Sequence, residues 1–329
     1  MVHLDALDAH DGVELCAVAE SDPNMLRDAA ERARISGQYE DWRVAIDDDR
    51  VDAVVICLPT GLHADAATAA FQAGKHVYVE KPVATTTEDA RRVADAWRAS
   101  GKVGVVGFNQ RFQSVIRRLK RSLQADEVGY VTSARSVMSS EARELPEWKR
   151  TRASGGGALL DLGSHVVDTM RYLFERRIVD VSGAIESVRT EDDTAAFTMR
   201  LDGGPTIQAQ VTLAGILETR FEILGDRGRL IADRNRGIVT LEPLHPPYGR
   251  VAHARTGLTA AARGAKTIVR PPSLMASNRA IIDAFIDAVI NGLHPSPDIE
   301  DGCRSLDVVL AAEEAHRSGK TVEISTVRA

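Results

Sequence analysis

Residues 154–168, SGGGALLDLGSHVVD, set an acid and an imidazole four positions apart, Asp161 and His165, just past a glycine run. On a helix, positions i and i+4 share a face, so both side chains are expected to point the same way beyond a glycine-lined mouth. A carboxylate beside a histidine raises the imidazole pKa and fixes its orientation, which suits a proton acceptor near neutral pH. The same residues also read as a capped amphipathic helix with a solvated acid and histidine. The pattern alone leaves both readings open.

Three more stretches carry chemistry. Glu80-Lys81-Pro82 closes an apolar run, 76–80, that reads as a strand. In an open α/β sheet, ligands bind beyond the carboxyl ends of the strands, so Lys81 is expected where a substrate would lie. Pro82 biases Lys81 toward an extended backbone and permits a cis bond. Leu58-Pro59-Thr60-Gly61-Leu62-His63 ends another apolar run. It opens a helix whose free N–H groups and dipole suit a phosphate or ribose. A capped turn explains Thr60 and Gly61, but not His63. Gly107-Phe108-Asn109-Gln110-Arg111-Phe112 leaves a fourth run, with Asn109 and Arg111 expected to face a cleft. Arg111 equally suits a structural ion pair.

Glu20 ends the first apolar run, followed by Ser21. In a dinucleotide fold an acid there accepts hydrogen bonds from ribose hydroxyls and repels a 2′-phosphate, favouring NAD over NADP. Ser21 softens that preference.

The elements that must position these groups form two blocks. Short apolar strands at 14–20, 53–58, 76–80 and 103–107 alternate with helices at 23–34, 61–73 and 87–100. Asp22 is the expected N-cap of the first helix, with Pro23 at its first position. Continuous apolar strands alternating with helices imply a doubly wound parallel sheet covered on both faces. From about Asn109 the pattern changes. Strands are expected at 179–188, 195–201, 206–213, 220–224, 229–232 and 239–241, several with period-two alternation, so a mostly antiparallel sheet with one covered face fits. Its open face suggests a homo-oligomer. The chain is therefore expected to be α/β, with a truncated Rossmann domain over 1–108 and an α+β domain over 109–329. The last helices, 274–291 and 299–318, are candidates for packing back on the first domain. Between them and the sheet, 243–272 carries Arg250, Arg255, Arg263, Lys266 and Arg270 without an acid. That is either an anion-attracting loop or a solvated one.

Composition bounds the rest. With 329 residues, 44% hydrophobic and 27% charged, the chain is of ordinary globular type. A net charge of −6 disfavours a nucleic-acid partner and leaves small molecules open. Cys16, Cys57 and Cys303 lie far apart, without metal-ligand or redox-pair spacing, and no metal is expected. No apolar run is long enough for a bilayer and no signal peptide opens the chain. A cytoplasmic protein without membrane contact is the expectation.

In this order, PTGLH at 59–63, EKP at 80–82, GFNQRF at 107–112 and GGGALLDLGSHVVD at 155–168 resemble the glucose–fructose oxidoreductase/inositol dehydrogenase (Gfo/Idh/MocA) family. The resemblance covers nearly the whole chain. It implies a Rossmann domain, a second domain with a large open sheet, and oxidation or reduction of a carbinol on a sugar, sugar acid or cyclitol with NAD or NADP. It implies that Lys81 hydrogen-bonds the reacting oxygen, that His165 exchanges its proton and that Asp161 positions and polarises them. With Arg111, these three form the expected substrate contacts. Glu20, Ser21, Leu58, Pro59, Thr60, His63, Glu80, Lys81 and Asn109 would line the cofactor. Trp148, with Lys149 or Arg150, resembles a family Trp-Arg pair near the nicotinamide. The family normally begins with a strand and a G-x-G-x-x-G turn. Residues 1–7 resemble the helix just after it, so the expectation is a start upstream and tighter NAD binding by an extended form. Two other readings stay open: glycoside cleavage through transient oxidation, which forms no net NADH, and a sugar-binding or regulatory protein without turnover.

Overall fold

The structure, a computed structural model, describes residues 2–243 and 274–324. The chain divides into two units, 1–109 with 275–306, and 110–274 with 307–329. The early boundary falls one residue after the sequence-based one, and the second unit is interrupted.

The first unit opens with α1 (Val2–Asp8) and β1 (Ala17–Ala19), then α2 (Pro23–Ala33). Asp22 caps α2 as expected, its carboxylate accepting from the N–H groups of Asn24 and Met25, with Pro23 in the first turn where a missing N–H costs nothing. Two short elements escaped the sequence reading, β2 (Gly37–Tyr39) and α3 (Trp42–Ile46). Then follow β3 (Ala53–Ile56), α4 (His63–Gln72), β4 (His76–Val79), α5 (Thr87–Ser100) and β5 (Gly104–Val106). Thr86 caps α5 through its hydroxyl, and Gly101 ends it at φ +62°, a left-handed position that glycine adopts without strain. All pairings are parallel, β1 with β2, and β3–β4–β5 in that order. β1 and β3 each have one strand neighbour among the described residues, and both are half-exposed, whereas β4, paired on both sides, is buried from Val77 to Val79.

The second unit starts with α6 (Ser114–Gln124), followed by β6 (Val131–Glu141). A π-helical turn, Leu159–Gly163, runs into α7 (Ser164–Phe174). The strands β7 (Ile178–Glu186), β8 (Thr194–Leu201), β9 (Thr206–Gly215), β10 (Glu218–Gly225), β11 (Gly228–Asp233) and β12 (Ile238–Pro243) match the expected runs within a few residues. With β13 (Val322–Glu323) they form a sheet ordered β12-β11-β10-β6-β9-β8-β7-β13. Its pairings are antiparallel except β6 with β9 at the centre, which is parallel. Ile207, Ala209, Val211 and Leu213 of β9 alternate inward while Thr206, Gln208 and Gln210 are exposed, the period-two signature of a sheet with one covered face. α6 packs on β11 and β12, the π turn on β9 and β6, and α6 on α7, so one helical layer covers that face.

Late in the chain come α8 (Leu274–Asn291) and α9 (Ile299–Ser318). The first unit takes α8 from Met275 and α9 as far as Leu306, and the second takes the rest of α9. Gly104 lets α9 approach β5, since a Cβ there would lie 2.7 Å from Ile299. No helix among the described residues is long and apolar enough to cross a membrane.

Candidate functional site

In the first unit, the loops after β3 and β4 carry the expected groups, and His63 joins them. It is 2% exposed, with Nδ1 2.8 Å from the Pro82 carbonyl and Nε2 2.8 Å from the Leu58 carbonyl. Carbonyls only accept, so a neutral ring donates to one of them. Burial holds the imidazole pKa below its ordinary value against the pull of both carbonyls and Glu80. His63 is therefore a strap between two loops beneath the surface rather than the direct cofactor contact expected from its place at a helix start. Thr60 is buried as well. Leu58 and Pro59 are half-exposed on the same loop.

The Lys81–Pro82 bond is cis, one of the two geometries that Pro82 permits. Glu80 sits behind Lys81, accepting from the Lys81 N–H at 3.2 Å and from the Tyr78 hydroxyl at 3.2 Å, with its Oε1 2.7 Å from His3 Nε2. A Cβ on Gly107 would come within 2.9 Å of Glu80 Oε2, so a glycine is needed where β5 ends. Burial pushes the Glu80 carboxyl up, but the His3 hydrogen bond and the charges of His3, Lys81 and His63 outweigh it and leave the pKa below the ordinary value. A depressed carboxylate stabilises the fold above its unfolded pKa, and that contribution is lost as pH falls through the depressed value. Glu80→Gln is accordingly expected to lower stability at pH 7 by about 1–3 kcal/mol and to flatten the acid limb of the melting-temperature profile. Melting curves between pH 7 and pH 4 check this, and an unchanged acid limb counts against the role.

Glu20 lies at the end of β1, half-exposed, with Oε1 accepting from the Ser21 hydroxyl and the Asp22 N–H. Oε2 has no partner among the described residues, which fits an acceptor for ribose hydroxyls. The Asn109 side-chain amide donates to the Asn278 side-chain oxygen, Oδ1, on α8, so it is engaged within the first unit.

In the second unit Asp161 belongs to the π turn rather than to a regular α-helix. The Ser164 hydroxyl donates to the Leu160 carbonyl at 2.6 Å inside that turn. Wide turns of this kind are frequent at functional sites. Asp161 accepts from Lys149 Nζ at 2.9 Å, and that ammonium lies 5.2 Å from the Trp148 ring centroid. Lys149 thus pairs with Asp161, a partnership twelve residues apart that no periodicity discloses. His165 follows on the first turn of α7 and is half-buried.

The glycine run serves the backbone. A Cβ on Gly156 would lie 2.3 Å from the Lys149 carbonyl oxygen and 2.8 Å from that of Thr151, so the strand of chain carrying Lys149 passes directly over it. Gly155 and Gly157 have φ of +96° and +97°. The run is the seat of residues 149–151. Gly156→Ala is expected to displace that segment, costing about 1–3 kcal/mol by overpacking and lowering kcat/KM roughly tenfold through the Lys149–Asp161 pair. Wild-type kcat/KM in the variant, measured by steady-state kinetics, contradicts this.

Arg111 is corrected from a cleft ligand to the other reading, a structural pair. Its side chain is 7% exposed and that of Asp168 1%, with Nε donating at 2.9 Å and Nη2 to the second carboxylate oxygen. The basic segment 243–272 lies outside the described residues apart from Pro243. Lys81 belongs to the first unit and Asp161 and His165 to the second.

Residues 1–108 match the Gfo/Idh/MocA model described as an oxidoreductase family with an NAD-binding Rossmann fold, and residues 123–324 match the model of that family's C-terminal alpha/beta domain. The chain is 34% identical to a levoglucosan dehydrogenase of Pseudarthrobacter phenanthrenivorans over 47% of this chain and 41% of the relative, less than half of that protein's length. It is 28% identical to a myo-inositol 2-dehydrogenase of Thermotoga maritima over 71% of this chain and 72% of the relative. In fold it is similar to a levoglucosan dehydrogenase solved with NADH, at TM-score 0.83, 23% identity, and coverage of 99% and 96% of the two chains.

Proposed function

Because the chain belongs to the Gfo/Idh/MocA oxidoreductase family, an NAD-binding Rossmann fold ahead of a C-terminal alpha/beta domain, we propose that it transfers a hydride between a nicotinamide cofactor and a carbinol of a sugar, sugar acid or cyclitol. The observation that carries this reading is the Asp161 turn with its Lys149 partner, leading directly into the helix that presents His165. The relatives named above act on levoglucosan and myo-inositol by their names, and the solved neighbour holds NADH.

The residues present fit the cofactor's ribose and nicotinamide ends: Glu20 with its uncommitted oxygen for ribose hydroxyls, and Lys81 on a backbone fixed by Glu80 and the His63 strap. Leu58, Pro59, Trp148 and Asn109 complete the proposed lining. Glu20 repels a 2′-phosphate, so NAD is favoured over NADP.

When bound, the nicotinamide supplies the hydride chemistry. Lys81 donates a hydrogen bond to the alcohol oxygen and stabilises its developing negative charge. His165 takes the hydroxyl proton in oxidation and returns it in reduction. Asp161, held by Lys149, orients these groups; the pair keeps its carboxylate from swinging into solvent. The test is a polyol and sugar panel with NAD and NADP, followed at the NADH absorbance band. Turnover of a polyol or sugar with NAD is the expected result. Aryl-glycoside cleavage without net NADH, or thermal stabilisation by sugars without any absorbance change, overturns the reading.

A further inference from the structure

Arg234 is a sheltered guanidinium with no acid to answer it among the described residues. It directly follows β11, and its N–H donates to the Thr219 carbonyl at 3.0 Å, so it extends the row Leu230, Ala232 beside Ile223, Phe221 and Thr219. That row lies on the covered face of the sheet, where Leu230, Ala232, Phe221, Ile223 and Thr219 are buried. The sheltered Arg111 and Arg152 of this unit have carboxylates, Asp168 and Glu313. Arg234 has only the Thr219 hydroxyl, at 3.4 Å, among the described residues. Residues 244–273 contain no Asp or Glu to add. Burial alone acts on its pKa and lowers it. A half-desolvated charge without a counter-ion costs stability, and nothing in the packing of this hairpin repays it.

The frame is rigid. Asn235 donates to the Leu217 carbonyl at 2.8 Å, Arg236 N–H to Asp233 at 2.9 Å and Gly237 N–H to the Arg234 carbonyl at 3.2 Å. Its place matters more. Thr219 registers with Met138 on β6, and Met138 with Val211 on β9. At the same end, the Leu213 N–H donates to the Asp193 carbonyl, and the Ala158 N–H to that of Asp192. The Asp161 turn packs on β9 and β6. Arg234 therefore stands on the same face and at the same end of the sheet, two to three strand spacings away, about 10–14 Å. An extended arginine and a sugar ring together bridge that span.

We propose that Arg234 receives an oxyanion on the substrate, so that the chain acts on an acidic sugar or cyclitol, one carrying a carboxylate or a phosphate, rather than on a neutral polyol. This rests on the dehydrogenase reading above. The test is calorimetric binding, with steady-state kinetics alongside, of D-glucuronate, D-galacturonate and D-glucose 6-phosphate against D-glucose, D-galactose and myo-inositol. Wild type, Arg234→Lys and Arg234→Gln are compared. At least one acidic compound is expected to bind roughly tenfold or more tightly than its neutral parent. Preference for the hexuronates assigns a carboxylate, and preference for the hexose phosphate assigns a phosphate. Arg234→Gln is expected to erase the preference, Arg234→Lys to keep part of it, and neither to lower the melting temperature, which a purely structural arginine would. Equal binding of acidic and neutral compounds, or an unchanged preference in Arg234→Gln, overturns the proposal even if neutral polyols turn over. Arg234-dependent binding of acids without any NADH formation upholds the anion site and instead overturns the dehydrogenase reading.

Discussion

His165→Ala is expected to lower kcat for the polyol or sugar that the panel identifies by about 10²–10⁴-fold, and Lys81→Ala by a similar factor, with the NADH dissociation constant changed by no more than a few-fold. Stopped-flow absorbance gives the first quantity and fluorescence titration the second. The size follows from what each group does. A positioned base that removes the hydroxyl proton as the hydride leaves contributes about 3–5 kcal/mol to the barrier. An ammonium facing the developing alkoxide acts in the transition state more than in the ground state, so its loss falls on kcat. His165→Gln and Lys81→Met, close in volume, separate lost chemistry from lost packing. Near-normal rates in either alanine variant contradict the assigned roles.

Asp168→Ala is expected to destabilise the protein by about 3–5 kcal/mol, because it removes the buried carboxylate that pairs with the Arg111 guanidinium. That is a large part of a typical net stability of about 5–15 kcal/mol. Urea unfolding measures it. Arg111→Leu with Asp168→Leu is expected to recover much of the loss, since an apolar pair of fitting volume avoids the desolvation cost. The consequence for the site is geometric. Asp168 lies three residues after His165 on α7, so the pair sets the rotation of the helix that carries the imidazole. A loss below about 1 kcal/mol in Asp168→Ala would mean that the pair does not anchor α7.

The elements most legible in the sequence are those with physical punctuation. α5 is bounded by Thr86 and Gly101, α2 by Asp22 and Pro23, and the strands of the second sheet by Gly-containing turns such as 202–205 and 225–228. The misses have physical causes too. β6 buries Ala134, Ser136 and Met138 on one face, and its many serines hide the alternation. α6 shows helical spacing in Val115, Ile116, Leu119 and Leu123, a signal masked by its four basic residues. The parallel β6–β9 pairing depends on sheet order, which local patterns do not encode.

For the site, the residue types at 80–82 and 161–165 were readable, but their partners were not. Lys149 reaches Asp161, and Arg111 reaches Asp168, across separations set by the fold. A capped turn leaves His63 unexplained in the sequence. Its explanation, two carbonyls on different loops, exists only once the loops after β3 and β4 are side by side. Arg234 carries no motif at all, and becomes visible only through the acid it lacks among the described residues.

The most direct measurement of the central claim follows one hydrogen. A panel compound that turns over is prepared with deuterium on its reacting carbinol carbon and incubated with the wild-type protein and NAD, and the reduced cofactor is weighed by mass spectrometry. Reduced cofactor carrying the deuterium, with its formation suppressed in His165→Ala, is the predicted result. Deuterium released to water while the compound is consumed, or cofactor that stays oxidised, would contradict it.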